Sequence, residues 1–219
     1  MNHRVSFGRL LWGLLAIVLA GGATAWGWIG YNRQNTASQA LPVYGSVRQL
    51  ADPGGSLVDL SGQAFNGLEL KGRVWIVNFF FSQCTELCPR TMAQMARLQK
   101  ALAGAEEVRL VSITVDPEHD TPAVLGEFAA HFGAQPDRWF FLSGDKQAIY
   151  ALSLNTFHLM VEEVPEGVRK PGDDSVQHDG HFVLVDRQGY LRGYYDGLDE
   201  EAMSHLLQDV QGLLRENTR

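Results

Sequence analysis

The sequence predicts an α/β sandwich, a central mixed sheet flanked by helices, behind an N-terminal transmembrane helix. Short runs rich in β-branched and aromatic residues alternate along the chain with stretches whose apolar residues recur at helical spacing. A charge-free run of about 20 residues, Leu10 to Ile29, is long enough to cross a bilayer core as a helix. The whole chain has 219 residues, 45% hydrophobic and 20% charged, enough for one good-sized domain with its own core.

The N-terminal run carries Trp12, Trp26 and Trp28 near its ends, where amphipathic rings favour the membrane interface. Arg4 and Arg9 precede it and only Arg33 follows closely, so the positive-inside tendency leaves the N-terminus in the cytoplasm and exports the rest. The expected location is the inner membrane, single-pass, with the soluble part on the periplasmic or extracytoplasmic side. A cleavable signal peptide is the competing reading, because Ala23-Thr24-Ala25 resembles a cleavage site. The apolar run continues past that site through Ile29, which favours a retained anchor, and both readings export the domain. The expected divisions are 1–9 cytoplasmic, 10–29 anchor, 30–45 linker and 46–219 folded domain, the linker being polar and aperiodic from Tyr31 to Gln39.

The formal net charge is −7, and the first 36 residues hold three arginines and no acid, leaving −10 on the remainder. An acidic domain repels phosphate backbones, and no basic cluster interleaved with aromatics offsets this, so nucleic acid is excluded as an expected partner.

Along the domain, a Gly-rich stretch, Asp52 to Ser56, between short apolar runs predicts a small hairpin or edge element. Val74 to Phe81 (VWIVNFFF) reads as a strand buried on both faces. Met92, Met95, Ala96, Leu98 and Leu102 predict a helix from Pro89 to Ala103, proline being suited to a first helical turn. Val108 to Val115 is a second buried strand, and Asp120-Thr121-Pro122 starts a helix over Val124 to Phe132. Trp139 to Leu142 predicts a strand and Lys146 to Leu154 a helix. Glu162 to Asp179 reads as a long polar loop, longer than usual connections. Phe182 to Val185 and Tyr190 to Tyr195 then form a hairpin about Gln188-Gly189, closed by a helix over Glu200 to Leu214.

Cys84 and Cys88 are the only two cysteines. A bridge between them closes a tiny loop and stabilises a fold less than a long one does, which argues against a purely structural disulfide. They lie where a buried strand turns into a helix, and orphan N–H groups and the helix dipole there are expected to depress a thiol pKa. Both sulfurs are then within reach of each other or of one metal ion, and the pair reads as a redox-active dithiol. Two thiolates suit Cu(I), and an imidazole extends the site to Cu(II), whereas structural zinc wants four protein ligands. Among the histidines, His131 and His205 fall in predicted helices, His3 is on the cytoplasmic side, and His119 and His158 lack a supporting context. His178 and His181 lie where the polar loop meets the last hairpin, and spacing leaves both open as ligands. Glu86 reads as a turn residue or a tuner of the thiols, Asp116 and Asp120 as turn and cap residues, and Met92 and Met95 as core.

These residues resemble the Sco family (SenC or PrrC-like), thioredoxin-fold proteins that deliver copper during cytochrome c oxidase assembly. The resemblance runs from about Val47 to the C-terminus through FFFSQCTELCP ending at Pro89, VSITVDPEHDTP ending at Pro122 and QHDGHFVLVDRQG ending at Gly189. It implies a thioredoxin-like sandwich and a copper site made by Cys84, Cys88 and the histidine ahead of the last core strand. Counted back eleven residues from Gly189, that histidine is His178, with His181 opening the strand or supporting the site from behind. Two departures stand out: Glu86 replaces the usual Asp between the cysteines, and Gln177-His178-Asp179 replaces Asp-His-Ser or Asp-His-Thr. Thioredoxin-like reductases carry a cis-proline just before the corresponding strand. Here Gly180 or a neighbour stands there, which leaves that side of the dithiol open to a ligand such as His178.

The resemblance implies a metallochaperone more than an enzyme. Its expected partners are a cytochrome c oxidase subunit or its copper site, a copper donor protein, a thiol-disulfide reductant, and the membrane through the N-terminal helix. The alternative is a thiol:disulfide oxidoreductase that reduces the metal-ligand cysteines of an oxidase subunit through a mixed disulfide. A peroxiredoxin-like reading is rejected, because Phe81-Ser82-Gln83-Cys84 lacks the T-x-x-C context.

Overall fold

The structure, a computed structural model, describes residues 41–47, 57–85, 87–170 and 174–216. The expected anchor at Leu10–Ile29, most of the linker, the stretch Asp52–Ser56 and Glu86 lie outside them. Among the described residues no helix is long and apolar enough to cross a membrane.

The strands are β1 (Gly45–Ser46), β2 (Leu57–Val58), β3 (Val74–Phe80), β4 (Val108–Thr114), β5 (Trp139–Gly144), β6 (Val161–Glu163), β7 (Val176–His178), β8 (His181–Val185) and β9 (Tyr190–Asp196). The helices are α1 (Leu87–Ala101), α2 (Pro122–His131), α3 (Lys146–Ala151) and α4 (Glu200–Glu216). Seven strands form one mixed sheet in the order β1-β9-β8-β3-β4-β5-β2. The strands β3, β4 and β5 are mutually parallel, and β8 joins β3 antiparallel. The architecture is a thioredoxin-like α/β fold about a central mixed sheet.

The run VWIVNFF lies at the centre because every one of its residues is apolar or can be satisfied inside, and all seven are buried. Asn78 is the polar exception: it accepts from the Ser112 hydroxyl at 2.7 Å and donates to the Met92 sulfur at 3.6 Å, and Ser112 in turn accepts from the Trp139 indole at 2.9 Å. A buried polar chain therefore crosses β5, β4, β3 and α1 with its members paired, as a low-dielectric interior requires. On α1 the buried residues Cys88, Thr91, Met92, Met95 and Leu98 follow helical periodicity, so the helix lays one stripe on the core and carries Cys88 at its buried end. Met92 and Met95 are fully buried core residues. On α2, Thr121 is the N-cap and Pro122 occupies the first turn.

Four sequence expectations change. The helix α1 starts at Leu87, two residues before Pro89, because proline lacks an N–H that a first turn does not use. The element expected ahead of the main sheet becomes two edge strands on opposite sides of it, β1 against β9 and β2 against β5. The helix expected over Lys146 to Leu154 ends at Ala151 and continues as one π turn, Leu152–Thr156. That wider turn leads into Phe157, whose buried ring packs edge-on against Trp75 and Phe79. The long polar loop is not irregular throughout: β6 pairs antiparallel with β7, making a two-stranded ribbon separate from the main sheet.

The hairpin β8–β9 is knitted by a buried ion pair, Asp186 with Arg192 at 2.7 Å. Asp186 also accepts from the Gln188 and Tyr190 N–H groups across the turn, where Gly189 adopts φ +81, a conformation that favours glycine. Arg192 donates further to the carbonyls of Leu41 and Pro42, fastening the segment that enters the domain. Removing one member of such a pair leaves a buried charge, so Asp186→Ala is expected to lower stability by about 3 to 5 kcal/mol, read as a lower midpoint in urea unfolding.

Candidate metal centre

Cys84, Cys88 and His178 converge: one ligand atom from each lies within 4.8 Å of the others. Three donors around one ion with bonds of about 2.0 to 2.3 Å stand no more than about 4.6 Å apart, so this spacing needs only a small contraction. The cysteines are in the dithiol form and both are buried, Cys84 at 6% and Cys88 at 0% exposure.

The two sulfurs are held by different elements. Cys84 precedes α1 and only Cys88 is helical, so they do not occupy successive turns of one helix. They approach because the Cys88 N–H, one of the unpaired donors of the first turn, donates to the Cys84 sulfur at 3.1 Å. The turn holding Cys84 is set by Asp120, a fully buried carboxylate that accepts from the Ser82 N–H at 3.0 Å and from the hydroxyls of Ser82 and Thr114. Asp120 is thus neither turn surface nor helix cap. Its neighbour Asp116 is buried and pairs with exposed His119 at 2.7 Å.

His178 ends β7, and the chain enters β8 of the main sheet three residues later at His181, which keeps the imidazole close to the sheet. The His178 Nδ1–H donates to the Asp179 carbonyl at 3.0 Å, since a carbonyl can only accept. Nε2 is then the nitrogen with the lone pair, and it faces the Cys88 sulfur at 3.2 Å. Phe81 walls the ring edge-on at a centroid distance of 5.7 Å. Orientation comes from a backbone acceptor, so the departure from Asp-His-Ser does not remove it. The Asp179 side chain serves His181 instead, accepting from its N–H at 2.9 Å and contacting its Nδ1.

His181 is therefore turned to Asp179 and is not among the converging donors. Gly180 packs against Leu87, where a Cβ would stand 3.1 Å from its Cδ1, so the flank left by the missing proline is filled by Leu87. His158 and His119 are exposed, His131 lies on α2 and His205 on α4.

The expectation of a depressed thiol pKa fails for Cys88. Its hydrogen bond to the Cys84 sulfur, followed by burial and by charge on Cys84, pushes this thiol far above its ordinary value. The helix-end N–H reaches its neighbour instead, and Cys88 itself lies beneath the first turn. Asp174 is the residue that sequence reasoning missed. Its carboxyl accepts from the Thr85 N–H at 3.4 Å and hydrogen-bonds the Cys84 sulfur, and burial, followed by that sulfur, holds its pKa above the usual carboxylate range. No periodic signal in the sequence could have found it, because β7 is only three residues long and Asp174 lies ahead of it.

A dithiol leaving the central strand of a thioredoxin-like sheet, closed by an imidazole whose free nitrogen faces it, defines a thiol–imidazole centre of the kind that holds a soft metal ion. The chain belongs to the SCO1/SenC family, whose model matches residues 50–215. It is 37% identical over 144 residues to the SCO1 protein homolog of Bacillus subtilis, covering 65% of this chain and 72% of that one. The structure of BsSco, described as having a disulfide switch and as a member of the Sco family of cytochrome c oxidase assembly proteins, is similar at TM-score 0.65 and 30% identity, over 81% of this chain and 97% of that one. ScoI of Bradyrhizobium japonicum, solved with copper bound, is similar at TM-score 0.56 and 28% identity, over 69% of this chain and 94% of that one.

Because Asp120 satisfies a buried N–H and two hydroxyls, Asp120→Ala is expected to lower stability by about 2 to 3 kcal/mol. The Ser82–Cys84 turn should loosen with it, seen as faster labelling of the thiols by an aromatic disulfide reagent than in the unaltered protein.

Proposed function

We propose that this protein binds copper through Cys84, Cys88 and His178 and delivers it during assembly of cytochrome c oxidase, held beside its membrane client by the N-terminal segment. The observation that carries the reading is the orientation of His178: its Nδ1–H is committed to Asp179 O, so Nε2 offers its lone pair at 3.2 Å from the Cys88 sulfur. Two sulfurs and one imidazole nitrogen form a soft donor set that suits Cu(I) and, with the imidazole, also admits Cu(II). Family membership and the copper-bound relative from Bradyrhizobium japonicum support the choice of metal. The description of BsSco supports the choice of client, an oxidase subunit or its copper site.

Copper is the cargo in this reading. Loading displaces thiol protons, Cys88 and Cys84 become thiolates, and His178 completes the site from a ribbon that can yield when a partner takes the ion. A copper donor protein fills the site and a thiol-disulfide reductant keeps the dithiol competent, since a Cys84–Cys88 disulfide has no thiolate to offer. The expected topology is a single-pass anchor at 10–29 in the inner membrane, with the domain outside. It is supported by the arginines ahead of the apolar run.

The oxidoreductase alternative uses the same sulfurs as a nucleophile and its resolving partner. Reactive thiols of that kind are accessible with a depressed pKa, whereas Cys84 is nearly enclosed and the Cys88 pKa is raised. Those properties favour storage of an ion over attack on a client disulfide.

Titration of the reduced protein with copper tests the assignment. His178→Ala should weaken binding about tenfold to a hundredfold and change the Cu(II) spectrum, while His181→Ala should leave both close to wild type. Unchanged binding in His178→Ala would sink the three-donor site. Wild-type protein that takes up no copper yet rapidly reduces a client disulfide would favour the oxidoreductase. Since the ion replaces the Cys88 proton and that thiol is pushed up, apparent affinity should rise with pH, by at least about tenfold per unit through the neutral range, as measured by competition with a chelator of known pH dependence.

A further inference from the structure

The ribbon brings a second donor to the dithiol. Along β7 and its approach, Val176 is buried, Gln177 exposed and His178 half-buried, the alternation of a strand with one face turned inward. The Val164 N–H donates to the Ser175 carbonyl at 3.0 Å, carrying the ladder one residue beyond the β6–β7 pairs. Asp174, two residues ahead of β7, is turned to the same cysteine turn as His178, as its contacts show. The two residues meet the two cysteines in order. His178 faces the Cys88 sulfur, and the Asp174 carboxyl reaches the Cys84 sulfur and the Thr85 N–H.

We infer that Asp174 is a further donor of this centre, an oxygen ligand taken up by Cu(II) and left aside by Cu(I). The inference rests on the copper reading above and adds to it the oxidation state that the site favours. Two thiolates and an imidazole satisfy a d¹⁰ cuprous ion at low coordination number, whereas a cupric ion prefers four donors in a tetragonal array and gains from a hard anionic oxygen. The converging set supplies three donors. Asp174 is half-buried beside Cys84, and among the described residues Thr85 N–H is the backbone donor directed at its Oδ1. Replacing that long contact by a bond to the ion needs a shift of the carboxyl toward the sulfur it already touches. Carboxylate ligation adds a negative charge to the site, stabilises the dipositive ion over the monopositive one, and so makes Cu(II) harder to reduce. Neither Gln177, which is exposed, nor Asp179, whose carboxylate is turned to His181, offers such an oxygen.

The experiment compares wild type, Asp174→Asn and Asp174→Glu in the full chain, loaded with copper alone. Cu(I) and Cu(II) affinities are measured by chelator competition, the Cu(II) hyperfine pattern by electron paramagnetic resonance, and the potential by voltammetry. Asp174→Asn should bind Cu(II) about tenfold more weakly with an altered hyperfine pattern and hold Cu(I) within about twofold of wild type. That tenfold difference corresponds to a rise of about 59 mV in the one-electron potential. Asp174→Glu should restore most of the Cu(II) affinity. An unchanged Cu(II) spectrum and affinity in Asp174→Asn overturns the inference. So does an equal loss for both oxidation states, which marks Asp174 as a latch for the ribbon. Wild type that binds copper in neither state overturns the copper reading itself, an outcome separate from both.

Discussion

The pairing of Val161–Glu163 with Val176–His178 is the constraint on which the centre depends. Without it, His178 would end a polar connection whose many conformations seldom bring an imidazole to a buried sulfur. With it, the histidine rides a ribbon whose far strand is tied to the body of the domain, since Glu163 pairs with Lys146 on α3 and the Leu159 N–H, just ahead of β6, donates to the Ser153 carbonyl at 2.9 Å. The Glu163 contact raises the Lys146 pKa, as expected for an ammonium gaining a carboxylate partner.

The dithiol is built from a different direction. Cys88 belongs to α1 and moves with the core stripe of that helix, while Cys84 belongs to a turn held by Asp120 from the β4–α2 connection. Close packing brings these pieces together: a Cβ at Gly197 would stand 2.7 Å from the Gly180 carbonyl and 3.0 Å from the Thr91 Cγ2, so glycine lets the corner before β8 and the loop after β9 approach the first turn of α1. The dithiol is enclosed by construction, and the raised Cys88 pKa follows from that enclosure and from the neighbouring sulfur. A centre of this kind keeps its protons until something binds more strongly than they do.

Two of the contacts that set the ribbon against the rest of the molecule differ in exposure. Lys146 with Glu163 is a surface contact, weakened by salt and worth little by itself. The contact of Asp174 with Thr85 and Cys84 lies at the centre itself, so whatever occupies the sulfurs acts on it directly. In the proposed reading, an ion taken up by the sulfurs bears directly on the hold of the ribbon at that point.

The alternation of apolar runs and helical patterns was enough to predict the α/β class, and β3, β4, β8, β9 and α4 fall close to their expected spans, because residues buried on one or both faces leave a period in the sequence. Cys84 and Cys88 stood out by chemistry and spacing, and resemblance chose His178 over His181. The short strands β6 and β7 left no such trace: three residues each, VEE and VQH, are too few and too polar to show a period. Asp174, fourteen residues after Met160 and ninety after Cys84, has no local mark that separates it from Asp173 or Asp179. Local sequence determined which elements form and which side chains carry the chemistry. Which nitrogen of His178 faces sulfur, which way the Cys88 pKa moves, and which acid stands beside Cys84 were decided by the tertiary structure alone, because each depends on groups that only the folded chain brings within hydrogen-bonding distance.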